Sequence, residues 1–150
     1  MDIEAWLKDR GVWHRFLDKA ETVHTADASR ATGIDLHRIT KNLVSVTDKG
    51  EYVVLIVPGD KRVNLKAAAK VLSVKNIQLM PFDKSEPISG YQPGGTASLG
   101  FKTKMRVVID EELSTFDTFY CGGGTRDRLL EVKFEDVKRL NDAVVAPISS

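Results

Sequence analysis

The segment Tyr52-Val53-Val54-Leu55-Ile56-Val57 constrains this chain more than any other. It is apolar throughout and rich in β-branched residues. Successive side chains of a strand point to opposite faces, so one face of a half-solvated strand would leave half of these residues in water. The strand must therefore be central in its sheet and covered on both sides. A second β-branched run, Ile39 to Val46, lies just upstream. Asp48-Lys49-Gly50 separates the two, and its glycine supplies the positive φ that a hairpin loop often demands. An antiparallel pair inside a layered domain of strands and helices is expected.

The rest of the chain supplies the layers. Ile3, Trp6 and Leu7 recur at helical spacing, and Gly11 stops that helix. Thr25 or Asp27 can cap a short helix running to Gly33, which makes the His24 and Ala26 region a strand-to-helix junction. Asn64 caps a helix in which Leu65, Ala68, Ala69 and Leu72 share one face, with Lys66 and Lys70 on the solvent side. Further strands are expected at Ile77 to Met80, Met105 to Ile109, Thr118 to Cys121 and Leu129 to Val132, and a last helix over Phe134 to Asn141. The tail after Val145 reads as frayed. With no internal repeat or long linker, the expected fold class is mixed α+β. It is a single domain over residues 1–150, with a mixed, largely antiparallel sheet flanked by helices.

Composition excludes several functions. At 150 residues, 42% hydrophobic, the chain can bury a core without a covalent staple. Cys121 is its single cysteine and cannot form an intramolecular disulfide, which favours a reducing compartment; beside Phe119 and Tyr120 it reads as a buried strand thiol. The first ten residues carry Asp2, Glu4, Lys8, Asp9 and Arg10 and no apolar signal core. The apolar run at Tyr52 is far shorter than the roughly 20 residues that span a bilayer. A cytoplasmic location without membrane insertion is expected.

A net charge of +1 argues against a protein that coats DNA by bulk electrostatics. Charge is nevertheless segregated. Lys61, Arg62, Lys66, Lys70 and Lys75 fall in a stretch without acids, while Asp110, Glu111, Glu112 and Asp117 cluster later. That pattern fits a local basic face and equally fits an ordinary solvated helix.

Familiar catalytic signatures are missing. His14, His24 and His37 match no metal-ligand spacing, and Ser98-Leu99-Gly100 is half of a nucleophile elbow with Thr96 where its leading glycine should stand. Neither a Walker loop nor a dinucleotide fingerprint occurs, so no metal and no cofactor is expected. What remains are two glycine-rich loops, Gly90 to Gly100 and Gly122-Gly123-Gly124-Thr125. Backbone amides in such loops can form a nest for an anion or a developing oxyanion; the second loop reads equally as a tight turn between strands. Lys41 shares a strand face with Ile39 and Leu43, opposite Asn42 and Val44. Its ammonium either pairs with an anion there or snorkels to water.

Taken in order, five pieces resemble the YbaK/ProX family of free-standing transfer-RNA editing domains, a domain also found inserted in prolyl-tRNA synthetases. They are Thr25 to Gly33, Ile39-Thr40-Lys41-Asn42-Leu43-Val44, Val57-Pro58-Gly59-Asp60, Gly90 to Gly100, and Cys121-Gly122-Gly123-Gly124 followed by Leu130-Glu131-Val132. The resemblance implies a metal-independent deacylase that hydrolyses the ester of a small amino acid, such as alanine or cysteine, on a mischarged tRNA-Pro. Lys41 would bind the terminal phosphate or the aminoacyl group, and Gly94-Gly95-Thr96 would hold the carbonyl. Asn42, Asp60, Gly90, Ser98, Gly122, Gly123, Gly124 and Thr125 would complete the substrate site, and Lys61, Arg62, Lys66 and Lys70 would bind the tRNA. The implied partners are aminoacyl-tRNA and an aminoacyl-tRNA synthetase.

Two departures bear on the site. Ser98 stands where many members have proline, and Thr125 and Arg126 occupy the stretch where one subgroup presents a histidine. Two other functions compete with the deacylase: a non-catalytic tRNA- or synthetase-binding module of the same fold, and hydrolysis of another small ester or thioester.

Overall fold

The computed structural model describes residues 2–150. In chain order the elements are α1 (Ile3–Asp9), β1 (His14–Asp18), α2 (Thr25–Thr32), β2 (Thr40–Thr47), β3 (Tyr52–Pro58), α3 (Leu65–Leu72), β4 (Ile77–Leu79), α4 (Glu86–Ser89), β5 (Arg106–Asp110), β6 (Thr118–Gly122), β7 (Arg128–Lys133), α5 (Phe134–Asn141) and β8 (Val144–Ala146). No helix among them is long and apolar enough to cross a membrane.

The hairpin forms as its sequence demands. β2 and β3 pair antiparallel, with Lys41 opposite Val57 and Leu43 opposite Leu55, and Gly50 takes φ +78° in the turn. Val53, Leu55 and Val57 pack on Ala68, Ala69 and Leu72 of α3, while Val54 and Ile56 face a second core built from α1, α5 and the remaining strands. Both faces of β3 are thus dry. Asn64 caps α3 by accepting a 3.0 Å hydrogen bond from Ala67 N–H, which satisfies one of the free donors of the first turn.

The mixed α/β class holds, but the strands divide into two sheets. One has the order β4-β2-β3-β5-β8, antiparallel up to β3 and parallel beyond it; the other has the order β1-β7-β6 and is antiparallel throughout. β1 lacks the apolar run that would have announced it. It is an edge strand whose Arg15 faces Glu131 across the ladder.

Two local expectations are corrected. Neither Thr25 nor Asp27 caps α2: Thr25 is already helical, His24 holds the cap position without a side-chain bond, and Asp27 pairs with Arg30 inside the helix. A loop, not a strand, precedes it. The tail after Val145 is tied down. β8 pairs with β5, Ile148 is fully buried, its N–H donates to Asp110 Oδ1 at 2.9 Å and its C=O accepts from Asn64 N–H at 2.6 Å. Asp110 is correspondingly buried and anchors the tail, though it falls within the late acidic cluster.

Candidate active site

A cleft of about 510 Å³ opens where the start of β2, the loop ahead of α2, the 79–85 segment and the first glycine loop converge. Of the residues singled out from sequence, Lys41, Asn42, Gly94, Thr96 and Gly122 line it. Apolar atoms of Ala28, Ile39, Leu129 and Met80 supply much of the remaining wall.

Strand alternation separates the two polar side chains of β2. Lys41 turns toward the segment after β3, where its Nζ donates to the Lys61 carbonyl at 2.7 Å. Partial burial lowers its pKa from the ordinary lysine value, the Asp60 carboxylate pulls it back up, and Arg62 lowers it further. The ammonium therefore holds only a neutral acceptor at close range and sits in a setting that favours an incoming anion.

Asn42 faces the opposite way, into a closed ring of hydrogen bonds. The Ser98 hydroxyl donates to Asn42 Oδ1 at 2.5 Å, and Asn42 Nδ2 donates to Thr40 Oγ1 at 3.0 Å and to the Thr96 carbonyl at 3.1 Å. Thr40 and Ser98 hydroxyls lie 3.1 Å apart, so Thr40 donates and closes the ring. Ser98 is wholly buried, below Asn42 and away from the cleft. Ser98 thus serves to fix Asn42, and Asn42 fixes the peptide of Thr96.

The two glycine loops lie back to back. A side chain on Gly122 would meet the Gly95 carbonyl carbon at 2.5 Å and the Thr96 oxygen at 2.6 Å, and one on Gly95 would meet Gly124 at 3.0 Å. Glycine is required by this close approach. The amides of the second loop are spent in it: Gly122 N–H donates to Thr96 C=O, Gly123 N–H to Arg128 C=O and Gly124 N–H to Gly95 C=O. Its role is to back the first loop as a tight turn between β6 and β7. In the first loop Gly95 N–H is held by Gln92 C=O, whereas Gly94 and Thr96 N–H meet no hydrogen-bond acceptor among the described residues. Buried Tyr91 closes the loop from behind, donating toward the Leu99 and Gly100 carbonyls at 2.7 and 3.0 Å.

The remaining candidates lie outside the cleft. Gly90 ends α4 in the left-handed region, and Gly123, Gly124 and exposed Thr125 belong to the β6–β7 turn, where the Thr125 hydroxyl bonds Asp127. Asp60 sits at the rim beside Lys41 and accepts from His37 Nδ1 at 2.8 Å. Lys61 is near through its carbonyl, Arg62 follows it, and Lys66 and Lys70 are exposed on α3. Cys121 is buried, and burial pushes its thiol up to about 12 against a smaller opposing influence of neighbouring Ser98.

Three cleft residues are not among the site candidates read from the sequence: Lys19, Phe82 and His24, which enters that reading only as a metal ligand and as part of a junction. Lys19 Nζ donates to Thr22 Oγ1 at 2.6 Å and to the Arg126 carbonyl at 2.5 Å, and Arg126 Nε donates to the Pro93 carbonyl at 2.7 Å. Burial lowers the Lys19 pKa, against the opposing pull of Asp127 and Glu21. The chain of contacts ties the loop ahead of α2 to both glycine loops.

This fold, with a lysine and a glycine loop brought to one apolar-walled cleft, defines a class. Residues 19–140 match the aminoacyl-tRNA editing domain, and the chain belongs to that family. It is 26% identical over 137 residues to EbsC of Enterococcus faecalis, a candidate Cys-tRNA(Pro)/Cys-tRNA(Cys) deacylase, covering 91% of this chain and 84% of that one. It is also 23% identical to the proline–tRNA ligase of Brachyspira hyodysenteriae over 83% of this chain but only 23% of the ligase. The crystal structure of the hypothetical protein APE2540 superposes with a TM-score of 0.92 at 27% identity, covering 100% of both chains.

Proposed function

We propose that this protein is a single-domain, trans-acting deacylase that hydrolyses the ester of a small amino acid, such as alanine or cysteine, on a mischarged tRNA-Pro. The observation that carries the reading is that Lys41, Gly94 and Thr96 line one cleft, with no hydrogen-bond acceptor for the Gly94 and Thr96 N–H groups among the described residues. Water, oriented by the neighbouring ribose hydroxyl, adds through its oxygen to the aminoacyl carbonyl carbon and gives up the proton that the leaving ribose oxygen later takes. The carbonyl electron pair moves onto oxygen, where the Gly94 and Thr96 N–H groups receive the developing charge. Collapse breaks the bond to the ribose oxygen, which takes up a proton as it leaves. Lys41 holds the terminal phosphate or the polarised ester, and Asn42, locked by Ser98, keeps the Thr96 peptide in place. The step as written calls for no metal. The names of EbsC and of the proline–tRNA ligase support tRNA-Pro as substrate and the synthetase as partner.

The test is ester loss from tRNA-Pro charged with alanine, cysteine, serine or proline, followed with and without chelator. Hydrolysis of the small noncognate esters, unchanged by chelation, is the expected result. Binding without hydrolysis would instead make the chain a recognition module, and loss of activity in chelator restored by zinc would overturn the mechanism.

A further inference from the structure

Phe82 is the most exposed of the large apolar side chains, at 53%, yet it lines the cleft and does not stand alone on the surface. It opens a short 3-10 turn after Pro81, and its ring lies 5.8 Å from that of His24, the planes inclined by 33°. His24 is itself exposed, and its side chain makes no capping bond to α2. Leu79, 40% exposed, extends the same rim. A half-exposed aromatic pair that lines a cleft can offer a ring face to a ligand there.

The position of the pair identifies its occupant. Val23 packs on the glycine loop so closely that a side chain on Gly94 would meet its Cα at 2.9 Å. His24 is the next residue, about 3.8 Å further along the backbone. The aromatic rim therefore begins one residue from the loop proposed to hold the ester carbonyl. In any aminoacyl-tRNA the group next to that ester is the ribose of the terminal adenosine, with its base one glycosidic bond away.

We propose that His24 and Phe82 form a stacking platform for the adenine base at the 3′ end of the substrate, and so position the ester over Gly94 and Thr96. The inference rests on the deacylase reading for its substrate and adds the part of the site that holds the base. Stacking on a ring face carries no hydrogen-bond code, so the platform grips any base and leaves discrimination to the amino-acid end of the cleft.

The experiment is equilibrium binding of an acceptor-stem minihelix ending in CCA, its alanine attached through a non-hydrolysable 3′-amide, beside the same minihelix with an abasic 3′ nucleotide. Phe82→Leu should weaken binding of the first probe about tenfold, and Phe82→Trp should match or exceed wild type. On the abasic probe wild type and Phe82→Leu should bind alike. Trp13→Leu, which removes an exposed aromatic outside the cleft, is the control. Equal affinity of wild type and Phe82→Leu for the intact end, or an equal loss on both probes, overturns the platform, as does wild type that binds neither. Base-dependent binding by a wild type that fails to deacylate would retain the platform and refute the hydrolytic reading alone.

Discussion

Replacing Lys41 by alanine separates a working ammonium from a structural one. In the folded chain its close partner is the Lys61 carbonyl at 2.7 Å, at a position open enough for water to replace the lost donor. That hydrogen bond is worth about 1 kcal/mol, which for a chain of this length is a melting shift of about 2–4 °C. Relief of the lysine's own desolvation offsets part of it. The catalytic loss should be much larger. Removing one preorganised charge from a partly dry cleft costs about a hundredfold in rate, roughly 3 kcal/mol of transition-state stabilisation. The pH dependence follows from the direction of the shift. Because burial lowers the Lys41 pKa, the ammonium begins to disappear below the ordinary 10.5, and turnover should fall as pH rises through the lowered value. Stability runs the other way: between the lowered value and 10.5 the unfolded chain binds the extra proton, so this group's contribution improves with rising pH. Lys41→Arg should restore part of the rate and extend the alkaline limb, since the guanidinium stays charged but aims its donors differently. The assay is deacylation rate beside thermal melting for wild type, Lys41→Ala, Lys41→Arg and Lys49→Ala in the hairpin turn. Near-wild-type turnover by folded Lys41→Ala refutes the assigned role, and a collapse in melting without a specific rate defect makes Lys41 structural.

Three further outcomes are expected. Neutralising Lys66 and Lys70 together should flatten the logarithmic salt dependence of tRNA binding by about one to two, as the loss of two phosphate contacts requires; an unchanged slope assigns α3 to the solvent. Gly122→Ala drives a methyl into the Gly95 and Thr96 backbone, so it should cost about 1–3 kcal/mol in urea melts and lower kcat by displacing the first loop. Glu131 is buried between Arg15 and Arg38; burial raises its pKa, but hydrogen bonds from Thr118 and Arg15 and the two positive charges outweigh it and hold the carboxyl below the ordinary 4.5. Its contribution to stability is therefore complete above 4.5 and lost as pH falls through the lowered value, and Glu131→Gln should flatten that acid limb in thermal melts.

What could be read without coordinates was whatever depends on near neighbours in the chain. The doubly buried β3, the Asn64 cap, the last helix over Phe134–Asn141 and the opposite facing of Lys41 and Asn42 follow from strand alternation, helical spacing and a side-chain oxygen three residues from a free amide. These are period and capping effects, written locally. The Gly122 to Gly124 run was ambiguous for a related reason: three glycines reveal conformational freedom but not what lies against them. Only the fold shows that Gly95 and Thr96 do, and that their contact consumes the second loop's amides.

Tertiary structure alone decided the rest, because strand partners and the occupants of a cleft are set by long-range packing for which a linear pattern holds no code. β1 belongs to a separate sheet because Arg15 and Phe16 find Glu131 and Leu130 far along the chain. The tail is ordered because Asp110 and Asn64, remote in sequence, take up the backbone groups of Ile148. Lys19, His24 and Phe82 reach the same cleft from two loops that share no periodicity. Each of these contacts gains its energy only after the chain has closed a long loop, so its partner exists in the folded molecule and nowhere in the local sequence.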